Sequence, residues 1–161
     1  MRKFMKFMHT VSSAGIVGGL IAYALILLYA PQATPQDYAN MRQTIVAVCQ
    51  YMIVPALGIS LVTGLLAMVV HRPFQELRWV WVKALLGIGM FEATLAIISS
   101  KAGDAGRLSA QIAAGQPLEK GLAATISSEW TTLFAILAIS IANYVLGVWR
   151  PALAMRWARD V

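Results

Sequence analysis

Four long apolar stretches constrain this chain more than any other feature of its sequence. They cover residues 7–29, 44–70, 79–99 and 130–149, and a helix needs about 20 mostly apolar residues to cross a bilayer. Inside lipid the backbone N–H and C=O groups find no water, so a spanning segment must satisfy them within itself. The sequence therefore predicts four transmembrane helices.

Little of the chain lies outside these stretches. Of its 161 residues, 59% are hydrophobic and 12% are charged, whereas soluble domains carry roughly 25% charged residues. We expect a single membrane-embedded domain over residues 1–161, an all-α up-down bundle with an outer connection at 101–129. The single Cys49 excludes an internal disulfide and a CxxC-type metal site.

Basic residues lie unevenly on the two sides of the predicted bundle. Nine fall on one side and four on the other, and the side rich in Lys and Arg is normally cytoplasmic. We therefore expect both termini in the cytoplasm and the protein in a bacterial inner membrane. The net charge of +6 does not indicate nucleic-acid binding, because the basic residues flank apolar runs. The nine are Arg2, Lys3, Lys6, Arg72, Arg78, Lys83, Arg150, Arg156 and Arg159, and the four are Arg42, Lys101, Arg107 and Lys120.

His9 and His71 are the only histidines, and both are predicted to lie at cytoplasmic depth. An up-down bundle places the start of its first helix near the end of its second, so the two imidazoles could converge. Imidazole ligates haem iron and copper alike. The pair therefore indicates a b-type haem site or another metal site with His9 and His71 as ligands.

Small and basic residues surround this pair. Gly15 and Gly19 form a GxxxG motif on the first helix, and Gly64 falls within about 40° of His71 on the second, at about 100° per residue. Small residues let a neighbouring helix or a flat ring approach the backbone, so cofactor binding and simple helix packing both remain open. The cations expected near haem propionates are Arg72, Arg78 and Lys83.

Met5, Met8 and His9 offer a different metal chemistry. Their spacing of i, i+3 and i+4 places them on one helix face, and thioethers with an imidazole suit Cu(I). The plainer interpretation is that methionine fills gaps in apolar surfaces. A copper site on these three residues is therefore an alternative to haem.

Glu92 is the only acid deep within a predicted span. An ionisable side chain inside a membrane is costly and marks a candidate functional site. Glu92 could relay protons, pair with a partner subunit or stay protonated. The chain contains no G-x-S-x-G, HExxH, P-loop or dinucleotide motif, so the enzyme classes that these motifs define find no support.

Two stretches resemble known membrane families. "HTVSSAGIVGG" and "GISLVTGLLAMVVHRPFQELRWVWVKALLGI" resemble small four-helix bacterial integral membrane proteins of unknown function, related to the CopD-like copper-resistance domain and distantly to HemJ-type protoporphyrinogen oxidases. The resemblance implies a four-helix bundle that binds haem or porphyrin through His9, with Trp81 and Lys83 as its aromatic-lysine pair. The HemJ type carries a proline-arginine element late in its first helix, where this chain reads "AYALILLYAP". That departure bears on the oxidase activity more than on the haem site.

Together these features predict a membrane protein that binds haem b and serves in electron transfer or in porphyrin and redox-metal handling. Two alternatives remain. The chain could be a non-catalytic accessory or assembly subunit of a larger membrane complex, or it could handle copper. Membrane lipid is an expected contact in every case, and a membrane protein partner or a homo-oligomer is compatible with each.

Overall fold

The secondary structure of this chain is helical. A computed structural model describes residues 2–70, 76–95, 100–115 and 121–149, and confirms the predicted all-α class over these ranges. His71 and Arg72 lie outside the described residues. The helices are α1 (Arg2–Tyr29), α2 (Pro35–Val48), α3 (Val54–Val70), α4 (Arg78–Ala93), α5 (Ser100–Ala113) and α6 (Gly121–Trp149).

Within the residues that the structure describes, three helical segments are long and apolar enough to cross a membrane. They are Lys3–Tyr29, Pro35–Val70 and Glu129–Trp149. Helix α4 has 16 residues, and the final part of the predicted span at 79–99 lies outside the described ranges. The fourth span and the cytoplasmic location of the termini therefore remain predictions.

Helices α2 and α3 form one long helix interrupted by a π-helical turn at Cys49–Ile53. Pro55 explains the turn, because proline lacks an N–H and its ring clashes with the carbonyl four residues earlier, here that of Tyr51. Immediately before the proline, the Val54 N–H bonds to the carbonyl five residues back, at Cys49. The helix thus widens by one residue just ahead of the proline.

Helices α1 and α3 run antiparallel and approach closely through small residues. A Cβ built on Gly15 would lie 3.5 Å from the Cβ of Ala56. The hydroxyls of Ser13 and Ser60 are 2.9 Å apart. Close backbone approach through small residues is how helices commonly associate in lipid. The GxxxG motif is used here for helix packing.

Helices α4 and α6 are also antiparallel. Lys83 lies beside Gly147, and the Ser140 hydroxyl donates to the Met90 sulfur at 3.1 Å. His9 of α1 meets Ser60 of α3, and Ala14 of α1 lines one groove with Val148 of α6. The start of α1, the end of α3, the start of α4 and the end of α6 therefore lie together. We call this the His9 end of the bundle, and the opposite end the Arg42 end.

Helix α5 lies in the predicted outer connection and packs on α2 at the Arg42 end. Its packed face carries the small residues Ala102, Ala105, Gly106 and Ser109, which are all buried. A Cβ on Gly106 would lie 3.2 Å from Val46 Cγ2. Residues three and four positions apart lie on one helix face. A largely polar helix therefore covers α2 without bulky apolar side chains.

Replacing Gly19 with alanine should destabilise the bundle. Its new Cβ would lie 2.7 Å from Ile53 Cγ1, and overpacking of a filled core costs about 1–3 kcal/mol. Gly58→Ala on α3 is the matched control, because nothing lies within 4 Å of its added Cβ. Thermal unfolding in detergent should show a lower Tm for Gly19→Ala alone, and equal Tm values would contradict the packing of α1 on the π-helical turn.

Candidate functional site

His9 is held by α3 at the His9 end of the bundle. Its Nδ1 lies 2.8 Å from the Ser60 carbonyl oxygen and 3.3 Å from the Thr63 hydroxyl. A carbonyl oxygen only accepts, so Nδ1 donates and the neutral ring keeps its lone pair on Nε2. Among the described residues Nε2 has no hydrogen-bond partner. An Nδ1–H bonded to a backbone carbonyl is the usual support of a metal-ligating histidine.

Gly64 completes the cradle of this ring. A Cβ at this position would lie 3.2 Å from His9 Cε1 and 3.5 Å from Nδ1. The space that the missing side chain leaves is therefore occupied by the imidazole itself. The sequence places Gly64 on the helix face of His71, so His9 contacts that face. Convergence of the two histidines stays a prediction, because His71 lies outside the described ranges.

Gly15 and Gly19 do not border an open space. Ala56 lies against the first and Ile53 against the second. A flat ring bound to His9 would therefore have to lie outside the contact between α1 and α3. This restricts the position of a bound haem. The ligating nitrogen of His9 would still be Nε2.

Lys83 brings a cation towards the same end. It is half-buried, and a Cβ on Gly147 would lie 2.6 Å from its Nζ. One turn earlier on α6, the buried Oδ1 of Asn143 has no hydrogen-bond partner in the part of the chain that the structure describes. Arg78 is exposed at the first turn of α4, and Arg72 lies outside the described residues. Lys83 is thus half-buried and Arg78 exposed at the His9 end, and the role of both towards a propionate stays a prediction.

Met5 and Met8 are half-buried, as is His9. In the described ranges, no three His, Cys, Asp or Glu side chains come together as a metal site. That observation does not involve thioether ligands, so the copper alternative stays a prediction.

Glu92 lies on an apolar outer face of α4. Its side chain is exposed, as are those of Leu85 and Ile88, which share its face by their spacing of seven and four residues. In the predicted span at 79–99, a carboxylate among exposed apolar side chains would be costly. The position therefore favours a covering partner.

The most complete polar network lies at the Arg42 end, where the sequence predicted no site. Arg42 Nη1 donates to both carboxylate oxygens of Glu129, at 2.7 and 2.8 Å. Its Nε and Nη2 donate to the Tyr38 hydroxyl at 3.0 and 2.7 Å. The Tyr23 hydroxyl donates to Glu129 Oε1. The network joins α1, α2 and α6.

Both charges of this network are removed from solvent. The side chains of Arg42 and Glu129 are only 2% and 6% exposed, and α5 covers Arg42, whose carbonyl oxygen would lie 3.9 Å from a Cβ on Gly106. Burying an ion pair is tolerated only where geometry is good and further hydrogen bonds satisfy the remaining atoms. The two tyrosine hydroxyls supply those bonds, so the arrangement holds three helices in fixed relation.

Sequence reasoning missed the network because it counted Arg42 as a topology-setting cation and Glu129 as the end of a connection. One signal was present. Arg42 precedes the second apolar stretch by two residues, and Glu129 precedes the fourth by one. In an up-down bundle both starts are at the same level, so opposite charges there are candidates for pairing.

The long apolar helices, their exposed apolar side chains and a fully paired internal ion pair define an integral membrane protein. Over residues 3–151 the chain matches the family model described as predicted integral membrane protein (DUF2269), and it belongs to that family. No curated protein and no solved structure matches the chain.

Breaking one partner of the buried pair should unfold the protein more readily. Arg42→Met leaves Glu129 buried and unpaired, which costs about 3–5 kcal/mol. The double variant Arg42→Met with Glu129→Met should recover part of that loss, because no uncompensated charge remains. The measurement is a double-mutant cycle on unfolding in detergent.

The exposed pair of Arg107 and Asp104 is the control for this cycle. Its atoms are 3.2 Å apart, with side chains 70% and 58% exposed. Exposed pairs contribute little to stability, so Arg107→Met should leave the Tm nearly unchanged. Additive effects of the two single substitutions at Arg42 and Glu129 would contradict their coupling.

Proposed function

We propose that this integral membrane protein binds one b-type haem at the His9 end, with His9 as an axial ligand. Its role would be electron transfer or the handling of porphyrin and redox metals. The observation that supports this is the bond from Nδ1 of His9 to the Ser60 carbonyl, which leaves a lone pair on Nε2. The resemblance to CopD-like and HemJ-type proteins points the same way, and His71 is the proposed second ligand.

The donor set at this end fits haem iron. A neutral imidazole is a common axial ligand, and ligand identity and burial set the potential. Haem, when bound, would supply one-electron chemistry. The residues of the chain would orient the haem and neutralise its propionates. Ser60 fixes the His9 ring, Gly64 leaves room for that ring, and Lys83 supplies positive charge for a propionate.

An absorption spectrum of the purified protein, oxidised and then reduced with dithionite, tests the proposal. The wild type should show the reduced spectrum of a b-type haem, and His9→Ala should lose it because the ligand is gone. Thr10→Ala is the control, since the Thr10 hydroxyl is exposed and bonds only to its own helix at Lys6. A wild type that remains colourless after haem is supplied would refute the proposal.

A second pair of variants separates ligation from folding. Gly64→Ala places a Cβ 3.2 Å from His9 Cε1, whereas Gly58→Ala meets nothing within 4 Å. Only Gly64→Ala should therefore shift the reduced spectrum or the midpoint potential. If the protein instead carries copper that is lost on changing Met5, Met8 and His9, the copper-handling alternative replaces the haem proposal.

The exposed Glu92 favours a second candidate function, that of an accessory subunit or a homo-oligomer. A partner that covers α4 would remove its carboxylate from lipid, where an ionisable group is costly. Leu85 and Ile88 supply apolar surface beside it.

Glu92→Leu should dissociate such an assembly, because covering the carboxylate would no longer favour the contact. Light scattering after size exclusion in detergent measures the mass of the complex. Glu76→Leu is the control, since Glu76 is exposed just ahead of α4. A monomeric wild type, or an assembly that survives Glu92→Leu, would count against this candidate.

A further inference from the structure

An open apolar groove runs between α1 and α6. Its volume is about 570 Å³, and its α1 wall is formed by Ala14 and Val17. The α6 wall includes Val145 and Val148 and reaches Trp149. Because α6 ends at the His9 end of the bundle, the groove opens towards the interface at that end. Its lining fits a hydrocarbon chain.

The face of α1 that forms this wall becomes basic at the same end. At about 100° per residue, Lys3 lies about 20° from Ala14 and Lys6 about 20° from Val17 around the helix. Both lysines are exposed, and neither makes an ion pair in the described ranges. Helical side chains lean towards the N-terminus, so both ammonium groups extend away from the groove towards the interface.

Along this face of α1, the two lysines come first and the apolar groove follows. An anionic lipid has the same order, with a phosphate at the interface and an acyl chain below it. Basic residues beside gaps between membrane helices recognise such headgroups, and aromatic side chains such as that of Trp149 favour the interface. We propose that the α1–α6 groove is a binding site for an anionic phospholipid.

A second copy of the chain fits this groove less well. Two copies inserted in the same direction and related by a twofold axis would present the same surface to each other. Lys3 and Lys6 of one copy would then face the same lysines of the other. An anionic lipid instead neutralises both charges, so charge complementarity selects the lipid.

Native mass spectrometry of the full chain tests the proposal with two probes, phosphatidylglycerol and phosphatidylcholine of identical acyl chains. The wild type should retain phosphatidylglycerol preferentially, and the preference should fall with added salt. Lys3→Gln with Lys6→Gln should weaken that binding by about fivefold or more per lysine. Lys101→Gln with Arg107→Gln removes two charges from α5 and should leave the preference intact.

A second variant tests the groove itself. Ala14→Phe should reduce the retention of both lipids, because the ring would fill the channel. Leu25→Phe is the control, since Leu25 is exposed on α1 outside the groove. Equal retention of the two lipids by the wild type would overturn the proposal. So would a preference that survives loss of both lysines, or a lipid-free dimer that Ala14→Phe dissociates. None of these readouts depends on haem.

Discussion

The ion pair between Arg42 and Glu129 is the constraint on which the arrangement of the helices depends. A charged guanidinium and a carboxylate leave water only when their partners are in place, and a misplaced helix would leave one of them unpaired. Tyr23 from α1 and Tyr38 from α2 complete the bonds to the two charges. Helix α5 then covers Arg42 through Gly106, where an added Cβ would lie 3.2 Å from Val46 Cγ2. One network thus fixes helices distant in sequence.

The His9 end is organised by a different interaction. In lipid the hydrophobic effect does not drive helices together, so close packing and interhelical hydrogen bonds must do so. Gly15 against Ala56 and Ser13 against Ser60 bring α1 and α3 together. The orientation of His9 is a consequence of that contact, because the Ser60 carbonyl is within reach only when the two helices are this close.

The helical class could be predicted from the sequence because lipid leaves a spanning backbone few ways to satisfy its hydrogen bonds. Pro55 indicates that the regular α-helix is interrupted near it, but not that the interruption is a π-helical turn. The partner of Arg42 was not predicted, because counting charges by side ignores pairing between distant helices. The cradle of His9 depends on how α1 is rotated against α3, which apolar sequences leave open. Gly64 accordingly contacts the imidazole, a role that helix spacing alone does not reveal.

The contrast between the two ends indicates where a ligand would bind. At the Arg42 end, guanidinium and carboxylate bond to each other and to two tyrosines within the protein, so that network has little capacity to bind anything else. At the His9 end, within the described residues, Nε2 of His9 and the buried Oδ1 of Asn143 lack hydrogen-bond partners. The buried Oγ1 of Thr94, at the opposite end of α4, lacks one as well. Buried polar atoms without partners, here Asn143 Oδ1 and Thr94 Oγ1, are unfavourable unless something else satisfies them. The His9 end also carries the lysines above the apolar groove. The Arg42 end therefore holds the bundle together, and both proposed binding sites lie at the His9 end.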